Sequence, residues 1–135
     1  MYPEFHLEVY TPERLFIDDQ VEMVIVESSD GEVGILKGHI PMVAAVSIGE
    51  LRILVKGEWK AAAINEGFME VRPDATVILV RSVEWPEEID AKRAEEAKER
   101  AEERLRQKRS MTEYHQSKAA LARAMARLRV KKEIL

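Results

Sequence analysis

Hydrophobic and polar positions alternate one by one along the first part of the chain and recur every three or four along the last part. In "FHLEV", Phe5, Leu7 and Val9 fall on one side and His6 and Glu8 on the other. A period of two belongs to a half-buried strand. "VEMVIVE" (21–27), "LRILV" (51–55), "FMEV" (68–71) and "TVILV" (76–80) are rich in Val, Ile and Leu, and turn residues bound them in "SSDGE", "IGE", "VKGEW" and "RPDA". Short strands at this spacing predict an antiparallel β-sandwich or barrel. About 85 residues suffice for eight to ten strands, because domains of about 55–65 residues already fold alone.

After "EWPEEID" the period becomes helical. A first helix is expected to begin at Asp90, whose carboxylate can accept from the free amides of the first turn. Its apolar stripe, Ala94, Ala97, Ala101 and Leu105, is narrow. A second helix carries Tyr114, Leu121 and Leu128 seven apart, with Ala120, Ala124 and Met125 beside them, and Ser110 or Thr112 can cap it. Alanine stripes let two helices approach closely but bury little area, so at about 25 cal/mol per Å² such a hairpin is marginal by itself. The expected class is therefore α+β. An N-terminal antiparallel β-sandwich, residues 1–86, precedes a C-terminal two-helix antiparallel hairpin, residues 87–135.

Composition sharpens the division. All six glycines and all five prolines precede residue 87. Residues 1–86 hold 7 basic and 15 acidic residues, a net of −8, whereas residues 87–135 hold 14 and 10, a net of +4. Residues 104–132 carry 10 basic residues and a single acid, Glu113. A segment of net +9 suits an acidic protein partner, since complementary potentials guide and orient association. It also suits nucleic acid, but such sites usually add stacking aromatics. Here the only aromatic is Tyr114, and the attached domain is acidic. No nucleic-acid partner is expected.

Candidate chemistry is sparse. There is no cysteine, which removes disulfides, thiolate metal sites and cysteine nucleophiles. Ser28, Ser29, Ser47 and Thr76 have no nucleophile-elbow context, so the chain is not expected to be an enzyme. His6, His39 and His115 lack zinc-helix spacing, and no metal is expected. "DGEVGILKGHIPMV" (30–43) lacks the Gly-Lys-Ser/Thr of a phosphate loop. It reads as turns between strands, or as a rigid exposed loop for docking. The N-terminus has no basic region followed by an apolar stretch, so it does not read as a signal peptide. Any meeting with a membrane is expected to go through a partner.

Four segments, "GEVGILKGHIPMV", "GFMEVRPDATVILV", "IDAKRAEEAKERAEERL" and "ARAMARLRV", occur in a fixed order that closely resembles the ε subunit of bacterial F-type rotary ATP synthase. The resemblance spans essentially the whole chain. It implies a non-catalytic rotor component at the cytoplasmic face of the cell membrane. The sandwich would dock on the γ subunit and the c-ring, with Glu32, Gly34 and His39 on the rotor-contacting loop. The hairpin would be a switch: folded down it permits turnover, and extended into the head formed by the α and β subunits it blocks hydrolysis. Arg104, Arg106, Lys108, Arg109, Lys118 and Arg123 are the candidates for the acidic segment of β. "IDAKRA" fits the family's I/L-D-x-x-R-A signature, which implies ATP as a regulatory ligand of the down state, with no metal demanded. Glu84, Ile89, Asp90, Arg93 and Ala94 would line that pocket. Arg100, Arg123 and Arg127 would add forked donors for phosphates. One departure is "NEGF", where the family often has Ser-Gly-Gly; Glu66 would then carry the turn's positive φ. Two rival functions remain at this stage, a stand-alone nucleotide sensor and a basic-helix nucleic-acid adaptor. ATP binding without γ would favour the first, and steep salt-dependent RNA or DNA affinity the second.

Overall fold

The computed structural model describes residues 2–107 and 110–132. Ten strands form two five-stranded sheets. They are β1 (Phe5–Tyr10), β2 (Leu15–Val21), β3 (Met23–Ser28), β4 (Gly31–Ile35), β5 (Met42–Val46), β6 (Gly49–Val55), β7 (Glu58–Ile64), β8 (Gly67–Val71), β9 (Thr76–Val80) and β10 (Val83–Glu84). One sheet has the order β2-β1-β9-β8-β5 and the other β10-β7-β6-β3-β4. The strands' inward residues meet in a single core that includes Leu7, Val9, Val24, Val26, Ile35, Leu51, Met69 and Ile78, each at most 1% exposed. A short 3-10 turn, Pro86–Glu88, leads to α1 (Ala91–Arg106) and α2 (Met111–Lys132). No helix among the described residues is long and apolar enough to cross a membrane.

The sandwich departs from the expected pattern in three places. β1 runs parallel to β9, in register from Leu7↔Thr76 to Tyr10↔Leu79, so that sheet is mixed. The glycine-rich stretch is not one loop: residues 31–35 pair with β3 as an edge strand, and only residues 36–41 turn before β5. Finally, Glu66 does not take positive φ; among the described non-glycine residues only Lys56 does, at φ 50°. Glu66 instead pairs with Arg81 at 3.0 Å, which gives its charge a partner.

Lys56 and Gly57, φ 50° and 79°, make a two-residue hairpin between β6 and β7. Positive φ at both positions matches the twist of the flanking strands. The buried Glu22 fastens this turn: its carboxylate accepts from the Gly57 amide at 2.8 Å and from the Tyr2 amide at 3.3 Å. The Gly57 bond first, and the Tyr2 bond second, hold its pKa below the ordinary value of 4.5. A depressed carboxylate stabilises the fold above its unfolded pKa, and that contribution is lost as pH falls through the folded pKa. Glu22→Gln is therefore expected to flatten the acid limb of stability below pH 4.5. Urea midpoints at stepped pH check this, and parallel acid limbs in both proteins would refute it.

Candidate functional site

The two sheets present very different outer faces. On the β10-β7-β6-β3-β4 sheet, α2 lies against β7, where Ala61 and Ala63 point outward. Val130 is fully buried there between Ala63 and Ile89. Helix α2 buries two opposite faces with small residues. Ser117 and Ala124, seven apart, form one face, and Ala126 and Val130, four apart, form the other. The expected stripe of large residues is thus corrected: Tyr114 and Met125 are exposed, and Leu121 and Leu128 are only half-buried. A helix packed on a helix and on a sheet at once leaves room for alanine and serine at its contact lines and pushes leucines to the flanks. In α1 the expected stripe holds, with Ala94 and Ala101 buried and Ala97 and Leu105 half-buried.

Polar clips supplement this seam. Arg127 Nε donates to Glu84 Oε1 at 2.5 Å, and Lys131 Nζ donates to the Pro86 carbonyl at 3.0 Å. The junction itself is anchored to the sandwich. Trp85 stacks on Phe16 with centroids 4.6 Å apart. Arg14 covers Phe16, donates to the Val83 carbonyl at 3.1 Å and pairs with Glu88 at 2.9 Å. Glu88 also accepts from the Trp85 amide at 2.8 Å.

Within "IDAKRA" each residue has a local role. Ile89 is in the seam, and Asp90 is the N-cap of α1, accepting from the Arg93 amide at 3.1 Å. Ala94 packs in the hairpin, and the Arg93 side chain is exposed. Ser110 caps α2 by accepting from the Glu113 amide at 3.2 Å. The arginines expected around a nucleotide fall into two places. Arg100, Arg104 and Arg123 line an open cleft of about 940 Å³ between the helices, together with Glu99, Glu103 and Glu113. Arg123 and Arg127 also line a crevice of about 10 Å³ with Glu84, room for about one water. Arg93 lines neither space. Among the expected acid-seeking residues, Arg106 pairs with Glu103 at 2.8 Å and Lys118 lies 6.0 Å from the Tyr114 ring centre. Lys108 and Arg109 lie outside the described residues.

Glu32 on edge strand β4 is ion-paired with Arg52, and Gly34 faces Ile25 on β3. His39 closes a turn by donating its amide to the Leu36 carbonyl at 3.1 Å, with Gly38 at φ 84°. Ile40 beside it is 73% exposed.

Among the described residues no helix packs on the outer face of the other sheet, and its most visible feature escaped the sequence. Across all five strands the register aligns Ala45, Phe68, Leu79, Tyr10 and Leu15 in one row. Phe68, Leu79 and Leu15 are 62%, 54% and 47% exposed, and Val43 in the next row 69%. A contiguous apolar strip of this kind marks an interaction surface. Single exposed residues on separate strands become a row only through the register, so no one-dimensional signal gives it.

Known families match both parts of the chain. The family model described as ATP synthase, Delta/Epsilon chain, beta-sandwich domain matches residues 4–86, and its long alpha-helix domain counterpart matches residues 87–132. The ATP synthase epsilon chain of Ruminiclostridium cellulolyticum is 56% identical over 124 residues, 92% of each chain. That of Caldicellulosiruptor saccharolyticus is 52% identical over 130 residues, 96% of this chain and 95% of the relative. A chain in the Euglena gracilis mitochondrial ATP synthase structure, OSCP/F1/c-ring in rotational state 1, superposes with TM-score 0.81 at 22% identity, covering 93% of this chain and 81% of that one. A chain of the Tetrahymena thermophila mitochondrial ATP synthase central stalk/c-ring gives 0.64 at 12% identity, covering 96% and 98%. At those identities the likeness is one of fold. A sandwich and hairpin matched over both parts, by relatives more than half identical, place this chain in the bacterial ATP synthase epsilon-chain family.

Proposed function

We propose that this chain is a non-catalytic subunit of the ATP synthase central stalk and that its hairpin moves to restrain ATP hydrolysis. The observation that carries the reading is the contrast between the two sandwich faces: a bare apolar row on one, a thin alanine seam on the other. The bare row supports stable docking on the γ subunit. Glu32 and Gly34 on β4 and His39 in the turn after it are assigned to the c-ring contact. The complex would hold the chain at the cytoplasmic face of the bacterial membrane.

The seam supports movement. Its one sizeable fully buried side chain from α2 is Val130, and burying a valine gains only about 1.5–3 kcal/mol. A gap of a few kcal/mol is what a ligand or a partner can reverse. The anchoring of Arg14, Phe16, Trp85 and Glu88 supports a pivot after Glu88, at Ile89 and Asp90. Once extended, Arg104, Arg106, Lys118 and Arg123 would face the acidic segment of β beside α. ATP is the ligand we assign to the folded-down state, with its phosphates in the interhelical cleft on Arg100 and Arg123. Arg127 would exchange Glu84 for phosphate.

Deleting residues 87–135 is expected to leave γ binding intact and to raise ATP hydrolysis by the assembled enzyme several-fold. Unchanged hydrolysis would mean that the hairpin is not the brake. ATP titration followed by backbone-amide NMR separates the nucleotide role. Saturable shifts in α1 and α2, weakened by Arg100→Ala and Arg123→Ala, are expected; no shift at millimolar ATP removes ATP from the mechanism.

A further inference from the structure

Beside the apolar row, and sharing Tyr10 with it, lies a polar group that the seam does not use. His6, Glu8 and Tyr10 alternate on β1 with the buried Leu7 and Val9, so they stand on the outer side of the sheet. In the antiparallel register with β2, Glu8 faces Asp18 and His6 faces Gln20. Like charges directly opposite each other across a ladder are destabilising. The Glu8–Asp18 pair therefore calls for a positive charge between its carboxylates. His6 Nε2 stands there, 2.7 Å from Asp18 Oδ1 and 3.3 Å from Glu8 Oε2. One ligand atom from each of the three residues lies within 4.8 Å of the others.

We propose that His6, Glu8 and Asp18 form a binding site for a zinc-like divalent cation, with one nitrogen and two oxygen ligands and a fourth position open to water. Zinc takes such ligands at about 2.0–2.2 Å in a tetrahedron, which sets neighbouring ligand atoms about 3.3–3.5 Å apart. The His6–Glu8 separation already has that value. The Asp18 side chain is 54% exposed and has room to swing outward.

The atoms behind the ligands support the assignment independently. Glu8 Oε1 accepts from the Tyr10 hydroxyl at 2.6 Å, which leaves Oε2 for the ion. The Gln20 amide lies 3.0 Å from His6 Nδ1. Turned with its oxygen toward the ring, it accepts a proton on Nδ1. Coordination then moves the ring proton from Nε2 to Nδ1 and exposes the Nε2 lone pair. Ligating histidines and carboxylates are commonly held in this way by neighbouring donors and acceptors. The base is rigid, because the intervening Leu7, Val9 and Ile17 are buried in the core. The donor set favours zinc or cobalt over calcium and magnesium, which take oxygen ligands in larger number. Glu8 and Asp18 belong to the row beside the apolar one, so the ion would offset two negative charges at its border.

The test is titration of the chelator-treated full chain, with Zn²⁺ by calorimetry and with Co²⁺ by visible absorption. One equivalent is expected to bind with micromolar affinity, and Co²⁺ to show tetrahedral bands. His6→Ala and Asp18→Asn are expected to weaken binding at least about tenfold, with circular dichroism unchanged. His39→Ala and His115→Ala are expected to have no effect. No saturable uptake below millimolar Zn²⁺ would overturn the site, leaving a simple ion pair. Uptake that persists in His6→Ala would overturn it too.

Discussion

Gly67→Ala is expected to cost the sandwich at least about 3 kcal/mol, since of the six glycines it is the one where an added Cβ meets the shortest contact. Gly67 opens β8 opposite Val80 on β9 and also pairs with Val46 on β5. A Cβ there would stand 1.9 Å from the Leu79 carbonyl oxygen and 2.7 Å from the Val80 Cα. Both are backbone atoms of the neighbouring strand, so no side-chain rotation relieves the contact. Either β8 and β9 separate locally or the register shifts, and a one-residue slip turns every inward residue outward. Gly67 is not among the positive-φ glycines. The requirement is for space, not for a special backbone conformation. Urea unfolding gives the measurement, and a loss below about 1 kcal/mol would show that the strand edge yields more easily than its packing implies.

The second large effect is expected at Val130. Val130→Asp would replace a fully buried valine by a carboxylate between Ala63 and Ile89, beside a groove whose cations are Arg52, already ion-paired with Glu32, and the exposed Lys60. Burying a charge costs several kcal/mol, more than the about 1.5–3 kcal/mol the valine contributes. The balance at the seam should therefore reverse, releasing the helices while the sandwich keeps its own melting transition. Trp59 and Trp85, the chain's two tryptophans, line the groove that ends at Val130. Their emission should shift to the red, and the radius from small-angle scattering should grow. In the assembled enzyme the same variant should lie permanently on the extended side and hydrolyse ATP more slowly. Wild-type emission and radius would show that Arg127–Glu84 and the helix pair hold the hairpin without Val130.

The strands with plain alternation or β-branched runs were legible in the sequence: β1, β3, β6, β8 and β9. So was the cap of α1, because Asp90 precedes a periodic run; for α2 the sequence left Ser110 and Thr112 open, and the structure gives Ser110. The strands that went unmarked have physical reasons. β2 reads "LFIDDQV", with three polar residues on a half-exposed edge. β7 reads "EWKAAAI", whose alanines signal a helix until α2 is seen to need small side chains beneath it. β4 lies in a glycine-rich segment because an edge strand has one open side. Parallel pairing of β1 with β9 cannot be read from local pattern, since it depends on how far the chain travels between them. The His6, Glu8 and Asp18 group was missed because histidines were compared at helical spacing, whereas here the ligands meet by alternation on one strand and register with the next. Arg100 and Arg123 do share a cleft. Arg127 and Glu84 meet in the crevice, while Arg93 stands apart because its own amide is the capped group and its side chain leaves the helix on the solvent side.

The pairing of β1 with β9 also bears on how the chain is made. β1 ends at Tyr10 and β9 begins at Thr76. At about 5–20 residues per second, a ribosome needs roughly 3–13 s to emit the partner strand. For that interval one edge of β1 is satisfied by β2 and the other stays open to any passing strand. The outward His6 and Glu8, a charged strip on an unfinished sheet, are the kind of feature that keeps an open edge from recruiting a neighbour. The helices come off the ribosome after every strand, onto a sandwich that has just closed.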